Sequence, residues 1–210
     1  MEGSFRHAAP DGLLLIETLA RREGRFVRLA RHLARLERTA RALCFRFDPA
    51  AIARTLDAVS GADPLRVRLT LDRRGAPAVE AVPLAAGPAV WRLAIHEDRL
   101  DPEDPWLRVK TSARLRYDRA RAALPAGVDE WLFLNTRGEI CEGTITNLFL
   151  RCGDRLVTPS TSSGLLPGVL RESLLASGAS EEVLRPRDLT CGEVLVGNSV
   201  RGIAPARLVP

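Results

Sequence analysis

The order in which two hydrophobic periods follow one another is what most restricts the fold of this chain. Leu13-Leu14-Leu15-Ile16-Glu17-Thr18-Leu19 reads as a buried strand, turned at Glu23-Gly24 into a short second strand from Arg25 to Leu29. The period then changes. Between His32 and Leu43, Leu33, Leu36, Ala40 and Leu43 recur at spacings of three and four, one apolar face of a helix with Arg31, Arg35, Arg38 and Arg41 elsewhere on it. Asp48-Pro49, a capping residue followed by a first-turn proline, opens a second helix to about Val59. Val67 to Leu71 and Ala78 to Val82 return to the strand pattern, joined through Arg73-Arg74-Gly75.

Leu84-Ala85-Ala86-Gly87-Pro88 is short, small and helix-breaking, and marks a domain junction. Beyond it, strands are expected at Trp91 to Ile95, Trp131 to Asn135, Ile140 to Leu150, Arg155 to Thr158 and Glu193 to Val196. Helices are expected at Arg114 to Leu124 and Val169 to Ala176. This mixed order is not a regular βαβ repeat. It predicts an α+β chain of two domains, 1–87 and 88–210.

The net charge of +5 invites a basic nucleic-acid-binding module as a non-enzyme alternative. Its arginines are dispersed, however, and aromatic residues are only 5%, whereas a nucleic-acid footprint is a patch or stripe. Anionic small molecules fit that charge better. The four cysteines form no C-x-x-C pair and the three histidines (His7, His32, His96) have no metal-ligand spacing, so neither a metal site nor a disulfide framework is expected. No apolar run approaches about 20 residues, and the start lacks the layout of a signal peptide. The expectation is a reduced cytoplasmic setting without membrane association.

Among 31 lysines and arginines, one is lysine: Lys110. An amine can lose its proton and condense with a carbonyl, which a guanidinium cannot do. An arginine-rich chain can also leave a single lysine anywhere, so the count alone does not decide. Three further pieces bear on it. Glu142 lies in Glu142-Gly143-Thr144-Ile145-Thr146-Asn147-Leu148-Phe149. Pro167-Gly168-Val169-Leu170 feeds a helix start, whose N–H groups suit a phosphate. Asn198-Ser199 sits in a Gly-flanked turn offering a hydroxyl and further N–H groups. An amine, a carboxylate and two anion-binding turns are the parts needed to hold pyridoxal phosphate.

Together these stretches resemble the class IV, fold type IV family of pyridoxal-phosphate enzymes. That family contains branched-chain and D-amino-acid aminotransferases and 4-amino-4-deoxychorismate lyase. The resemblance runs from Ile16-Glu17-Thr18-Leu19 through Arg31-His32-Leu33-Ala34-Arg35-Leu36 to the end. It implies a two-domain D-amino-acid-aminotransferase-like fold, a homodimer and pyridoxal 5'-phosphate as cofactor. By position, Lys110 matches the Schiff-base lysine, expected in the C-terminal domain, and Glu142 the acid that keeps the ring nitrogen protonated. Arg35 matches the arginine on the cofactor phosphate. Val169 and Leu170 would add backbone N–H groups to that phosphate, Ser199 a hydroxyl, and Leu166 a packing contact on the ring. The aminotransferases place a tyrosine five residues after the lysine, on the ring oxygen. Here that residue is Leu115, the one tyrosine is Tyr117, and the ring-oxygen partner is left unassigned.

Within the family, Lys110-Thr111 with Arg114-Leu115, the Tyr117-Asp118 pair and Asn198-Ser199-Val200-Arg201-Gly202-Ile203 look more like aminodeoxychorismate lyases than aminotransferases. The resemblance then implies conversion of 4-amino-4-deoxychorismate to 4-aminobenzoate and pyruvate, a folate-synthesis step on a small anionic amine. Arg114 and Arg201 would hold its two carboxylates. A class IV aminotransferase acting on branched-chain or D-amino acids is the alternative.

Overall fold

The computed structural model describes residues 10–209; His7 and the expected layout of the extreme N-terminus lie outside them. By their contacts the residues form two units. One runs to Ala86 and also includes Val109–Ala113; the other comprises Gly87–Arg108 and the chain from Arg114 onward.

In the first unit, β1 (Leu15–Arg22), β2 (Arg25–Phe26), β3 (Leu65–Leu71) and β4 (Pro77–Pro83) form an antiparallel sheet ordered β2-β1-β3-β4. β3 alternates cleanly: Leu65, Val67, Leu69 and Leu71 are buried, while Arg66 and Arg68 point the other way. The helix α1 (Leu29–Leu43) begins earlier than its apolar spacing predicts, which reduces the second strand to two residues. Its buried face carries His32, Arg35, Leu36, Thr39, Ala40 and Leu43, so Arg35 lies on that face and not among the solvent-facing arginines. α2 (Pro49–Asp57) is capped by Asp48, whose carboxylate accepts from the Ala50 and Ala51 N–H groups at 2.9 and 3.1 Å.

The lysine stretch does not belong where the sequence reading put it. Backbone bonds from Ile16 N–H to the Lys110 carbonyl (2.9 Å) and from Ser112 N–H to the Leu14 carbonyl (2.9 Å), with a bridge between Leu15 and Thr111, tie it to β1. The expected boundary after residue 87 therefore falls between Ala86 and Gly87, and Lys110 is part of the first unit.

The second unit contains β5 (Trp91–Leu100), α3 (Leu115–Ala122), β6 (Glu130–Asn135), β7 (Ile140–Gly143), β8 (Asn147–Cys152), β9 (Arg155–Pro159), α4 (Val169–Leu175), β10 (Ser180–Glu182), β11 (Glu193–Asn198) and β12 (Gly202–Leu208). Its sheet is ordered β10-β9-β8-β11-β12-β5-β6-β7, and β7 also pairs with β8 at Glu142 and Asn147. Six strands from β8 to β7 thus close on themselves, with no free edge among them. Strand alternation divides the apolar residues between two cores: Leu132, Leu134 and Ile140 join one with Trp91 and Leu148, while Phe133 and Cys141 join another with Leu100 and Leu165. The expected single strand from Ile140 to Leu150 is broken at 144–146, and it is this turn that brings Glu142 opposite Asn147.

Candidate functional site

In the first unit, Glu17 on β1 faces α1. Its carboxylate is 1% exposed and is gripped by Arg35 through Nε (2.8 Å) and a second nitrogen (2.6 Å). His32 Nδ1 lies 2.6 Å from the same carboxylate; because a carboxylate only accepts, Nδ1 carries the proton. Burial raises the Glu17 carboxyl, but the charge and hydrogen bonds of Arg35 and His32 outweigh it and hold the carboxyl below its ordinary range. Arg35 is thereby locked in one rotamer. Lys110 is half-buried, and its backbone is fixed by the β1 pairing.

In the second unit the closing pair, Glu142 and Asn147, grips the backbone of one residue, Leu166. Leu166 N–H donates to Glu142 Oε2 at 3.1 Å, and the Leu166 carbonyl accepts from Asn147 Nδ2 at 3.0 Å. The other oxygen of Glu142 accepts from the Tyr117 hydroxyl at 2.7 Å. The neighbouring turn is tight: a Cβ at Gly168 would lie 2.0 Å from Asn147 Oδ1, so only glycine fits there. Gly168 caps α4, which buries the side chains of Val169 and Leu170. The first N–H groups of a helix have no acceptor within it, and here they belong to Val169 and Leu170.

Glu130, 1% exposed, shapes the 144–146 turn. It accepts from the N–H groups of Thr144 (3.0 Å) and Ile145 (3.2 Å), from Thr146 Oγ1 (3.2 Å) and from the Thr144 hydroxyl. The turn passes that order on, since the Thr144 carbonyl accepts from Arg114 (2.9 Å) and the Ile145 carbonyl from Asn198 Nδ2 (3.2 Å). Arg114 also bonds Asp118 at 2.8 Å. Asn198 Oδ1 takes the N–H groups of Val200 (3.1 Å) and Arg201 (3.0 Å), so those two N–H groups are committed inside the turn and not offered outward as expected. Ser199 is buried at its apex, and Arg201 is half-buried.

The structure therefore bonds Glu142 and Asn147 directly to Leu166, two residues ahead of the Gly168 turn. Arg114 and the Asn198-Ser199 turn are joined to them through the Glu130-held turn. Sequence reasoning missed Asn147, Glu130, Glu17 and the role of Tyr117. Asn147 carried a readable signal, five residues after Glu142 in the same motif; the buried glutamates carried none.

Residues 14–209 match the family model described as "Amino-transferase class IV". A curated relative from Schizosaccharomyces pombe named "Putative aminodeoxychorismate lyase" is 28% identical over 199 residues, 89% of this chain and 86% of that protein. A "Probable branched-chain-amino-acid aminotransferase" of Synechocystis is 29% identical over 94 residues, and the match spans 41% of this chain and 31% of that protein. The solved structure of a "Putative amino-acid aminotransferase" from Mesorhizobium loti superimposes with a TM-score of 0.88 at 46% identity, over 94% of this chain and all of that one. Among the described residues no helix is long and apolar enough to cross a membrane.

Proposed function

The chain belongs to the class IV aminotransferase family, and from that premise we propose that it converts 4-amino-4-deoxychorismate to 4-aminobenzoate and pyruvate. Its cofactor is pyridoxal 5'-phosphate, as the family requires. The residues present fit that group: a buried carboxylate fixed on both oxygens suits a protonated ring nitrogen, and the Gly168 turn, too tight for any Cβ, leads straight into helix N–H groups. That carboxylate, Glu142 clamped between Tyr117 and Leu166, is the observation that carries the assignment to pyridoxal-phosphate chemistry.

When bound, the cofactor supplies an aldehyde for amines and a protonated ring that withdraws electrons. Lys110 is proposed to hold the aldehyde and, once released by the substrate amine, to take up the substrate proton at Nζ. Glu142 keeps the proton on the ring nitrogen. Arg35, Ser199 and the N–H groups of Val169 and Leu170 hold the phosphate, Leu166 packs on the ring, and Arg114 and Arg201 grip the substrate carboxylates. Lys110→Arg is expected to abolish turnover and the yellow colour of the protein while leaving its circular dichroism unchanged. Colour that survives and can be fixed by borohydride at another residue would overturn the lysine's role. The setting we propose is cytoplasmic, the assembly a homodimer and the context folate synthesis.

The lyase is favoured by the near full-length relation to the fission-yeast protein and by the Lys110–Asp118 stretch. A class IV aminotransferase is the second reading, favoured by the name of the Mesorhizobium loti protein. Turnover separates the two. A lyase releases pyruvate and 4-aminobenzoate repeatedly with no keto acid added. If catalysis needs 2-oxoglutarate and an amino-acid donor, and aminodeoxychorismate gives no pyruvate, the aminotransferase stands instead.

A further inference from the structure

Tyr117 is the one tyrosine in the chain, and its hydroxyl is committed to a single acceptor, Glu142 Oε1, at 2.7 Å. It stands two residues beyond Leu115, about 200° further round α3 at 3.6 residues per turn. Leu115 is 61% exposed, whereas Tyr117 packs inward on the core that contains Phe133. The phenol is therefore no simple two-residue displacement of a ring-oxygen tyrosine; it serves a different group.

We propose that Tyr117 is a positioning residue that holds the Glu142 carboxylate in one orientation for the cofactor ring nitrogen. The inference rests on the assignment of Glu142 to that nitrogen. Each carboxylate oxygen has a donor from a separate element, Tyr117 on α3 and the Leu166 N–H ahead of α4, and two anchors stop the rotation that one would permit. The phenol is itself held. Its ring meets Phe133 edge-on at 5.3 Å, Phe133 stacks on His96 at 4.7 Å, and the Arg114 guanidinium lies 5.7 Å from the Tyr117 ring centre. Arg114 in turn is pinned to Asp118 and the Thr144 carbonyl. Burial, and then the Glu142 charge, hold the Tyr117 hydroxyl well above its ordinary pKa, so it remains a donor throughout the neutral range.

A merely structural tyrosine and a positioning tyrosine differ in what they discriminate. Tyr117→Phe keeps the ring and removes the donor. The probes are pyridoxal 5'-phosphate and its 1-deaza analogue, which has a carbon in place of the ring nitrogen but keeps the aldehyde and phosphate. Dissociation constants can be read from quenching of the three tryptophans, without any turnover. The expectation is about tenfold weaker binding of pyridoxal phosphate by Tyr117→Phe, equivalent to about 1.4 kcal/mol, with the analogue's constant unchanged within about twofold. Equal weakening of both, or of neither, overturns the proposal. Wild-type protein that binds the two equally well removes the Glu142 assignment on which it rests, a distinguishable failure. Should the variant not fold, the single tyrosine allows a second measurement. Global 3-fluorotyrosine labels position 117 alone, and its fluorine resonance is expected to move on binding pyridoxal phosphate but much less on binding the analogue. A resonance that moves equally with both overturns the proposal.

Discussion

Glu17 and Glu130 are each 1% exposed, one in each unit, and they are compensated in opposite ways. Glu17 is answered by side chains of α1, Arg35 and His32, at 2.6 to 2.8 Å. Glu130 is answered mainly by dipoles, the N–H groups and hydroxyls of Thr144 to Thr146, with Arg121 more distant at 3.4 Å and partly exposed. The first arrangement joins a strand to a helix and fails as a unit. The second moulds a turn, and each of its bonds is individually modest. A buried carboxylate can thus be a bolt between elements or a template for a loop, and its partners tell which.

The largest effect should come from the bolt. Glu17→Ala leaves Arg35 buried without its carboxylate partner, and a loss of about 3–5 kcal/mol is expected in urea denaturation of the first unit. A loss below about 1 kcal/mol would erase the contrast. The same cluster sets an acid dependence. Because the folded-state carboxyl of Glu17 lies below its ordinary value of 4.5, its stabilisation is complete above that value and is lost as pH falls through the folded-state pKa. Denaturation midpoints should therefore fall more steeply below pH 4.5 in wild type than in Glu17→Gln.

A smaller effect is expected at the template. Glu130→Gln exchanges one acceptor oxygen for a donor facing N–H and hydroxyl groups, so about 1–3 kcal/mol should be lost. Cofactor retention should weaken too, because the turn holds Asn198 and with it the adjacent Ser199 proposed for the phosphate. Unchanged retention alongside lower stability would show that the turn does not serve the site. Least of all, Glu37→Ala should move stability by less than about 0.5 kcal/mol. Its partner Arg41 is 80% exposed, and such surface pairs contribute little. A larger shift there would mean that burial is not what separates these glutamates.

Much of this was legible beforehand. The helical period of α1, the Asp48-Pro49 start of α2 and the alternation of β3 are local signals, and local signals survive into the fold. Arg35 shows the limit: a helical wheel sets it among solvated arginines, and its burial is compensated by Glu17, which lies on β1 and not on the helix. The break at 144–146 was invisible because threonine and isoleucine favour strands, and the bend comes from Glu130 across β6. β12 has no strand signal of its own, since it contains Pro205, and Pro205 sits where pairing passes from β11 to β5. At the candidate site, the motifs single out Glu142 and the Gly168 turn. The Tyr117 bond is not legible there, since residues 25 apart meet only once the barrel has closed.

The five residues Val109–Ala113 complete the first unit only after the chain has already travelled through Gly87–Arg108 of the second. A nascent chain emerging in order therefore has β1 in hand long before the segment that seals its edge. That unit cannot finish on the ribosome until more than twenty residues of its neighbour have also been made. Nor can a single cut separate the two: severing the chain after Ala86 would release a sheet stripped of the strip that carries Lys110. Any attempt to express the first unit alone must graft that strip back, and the loop that does so replaces a piece of the other unit.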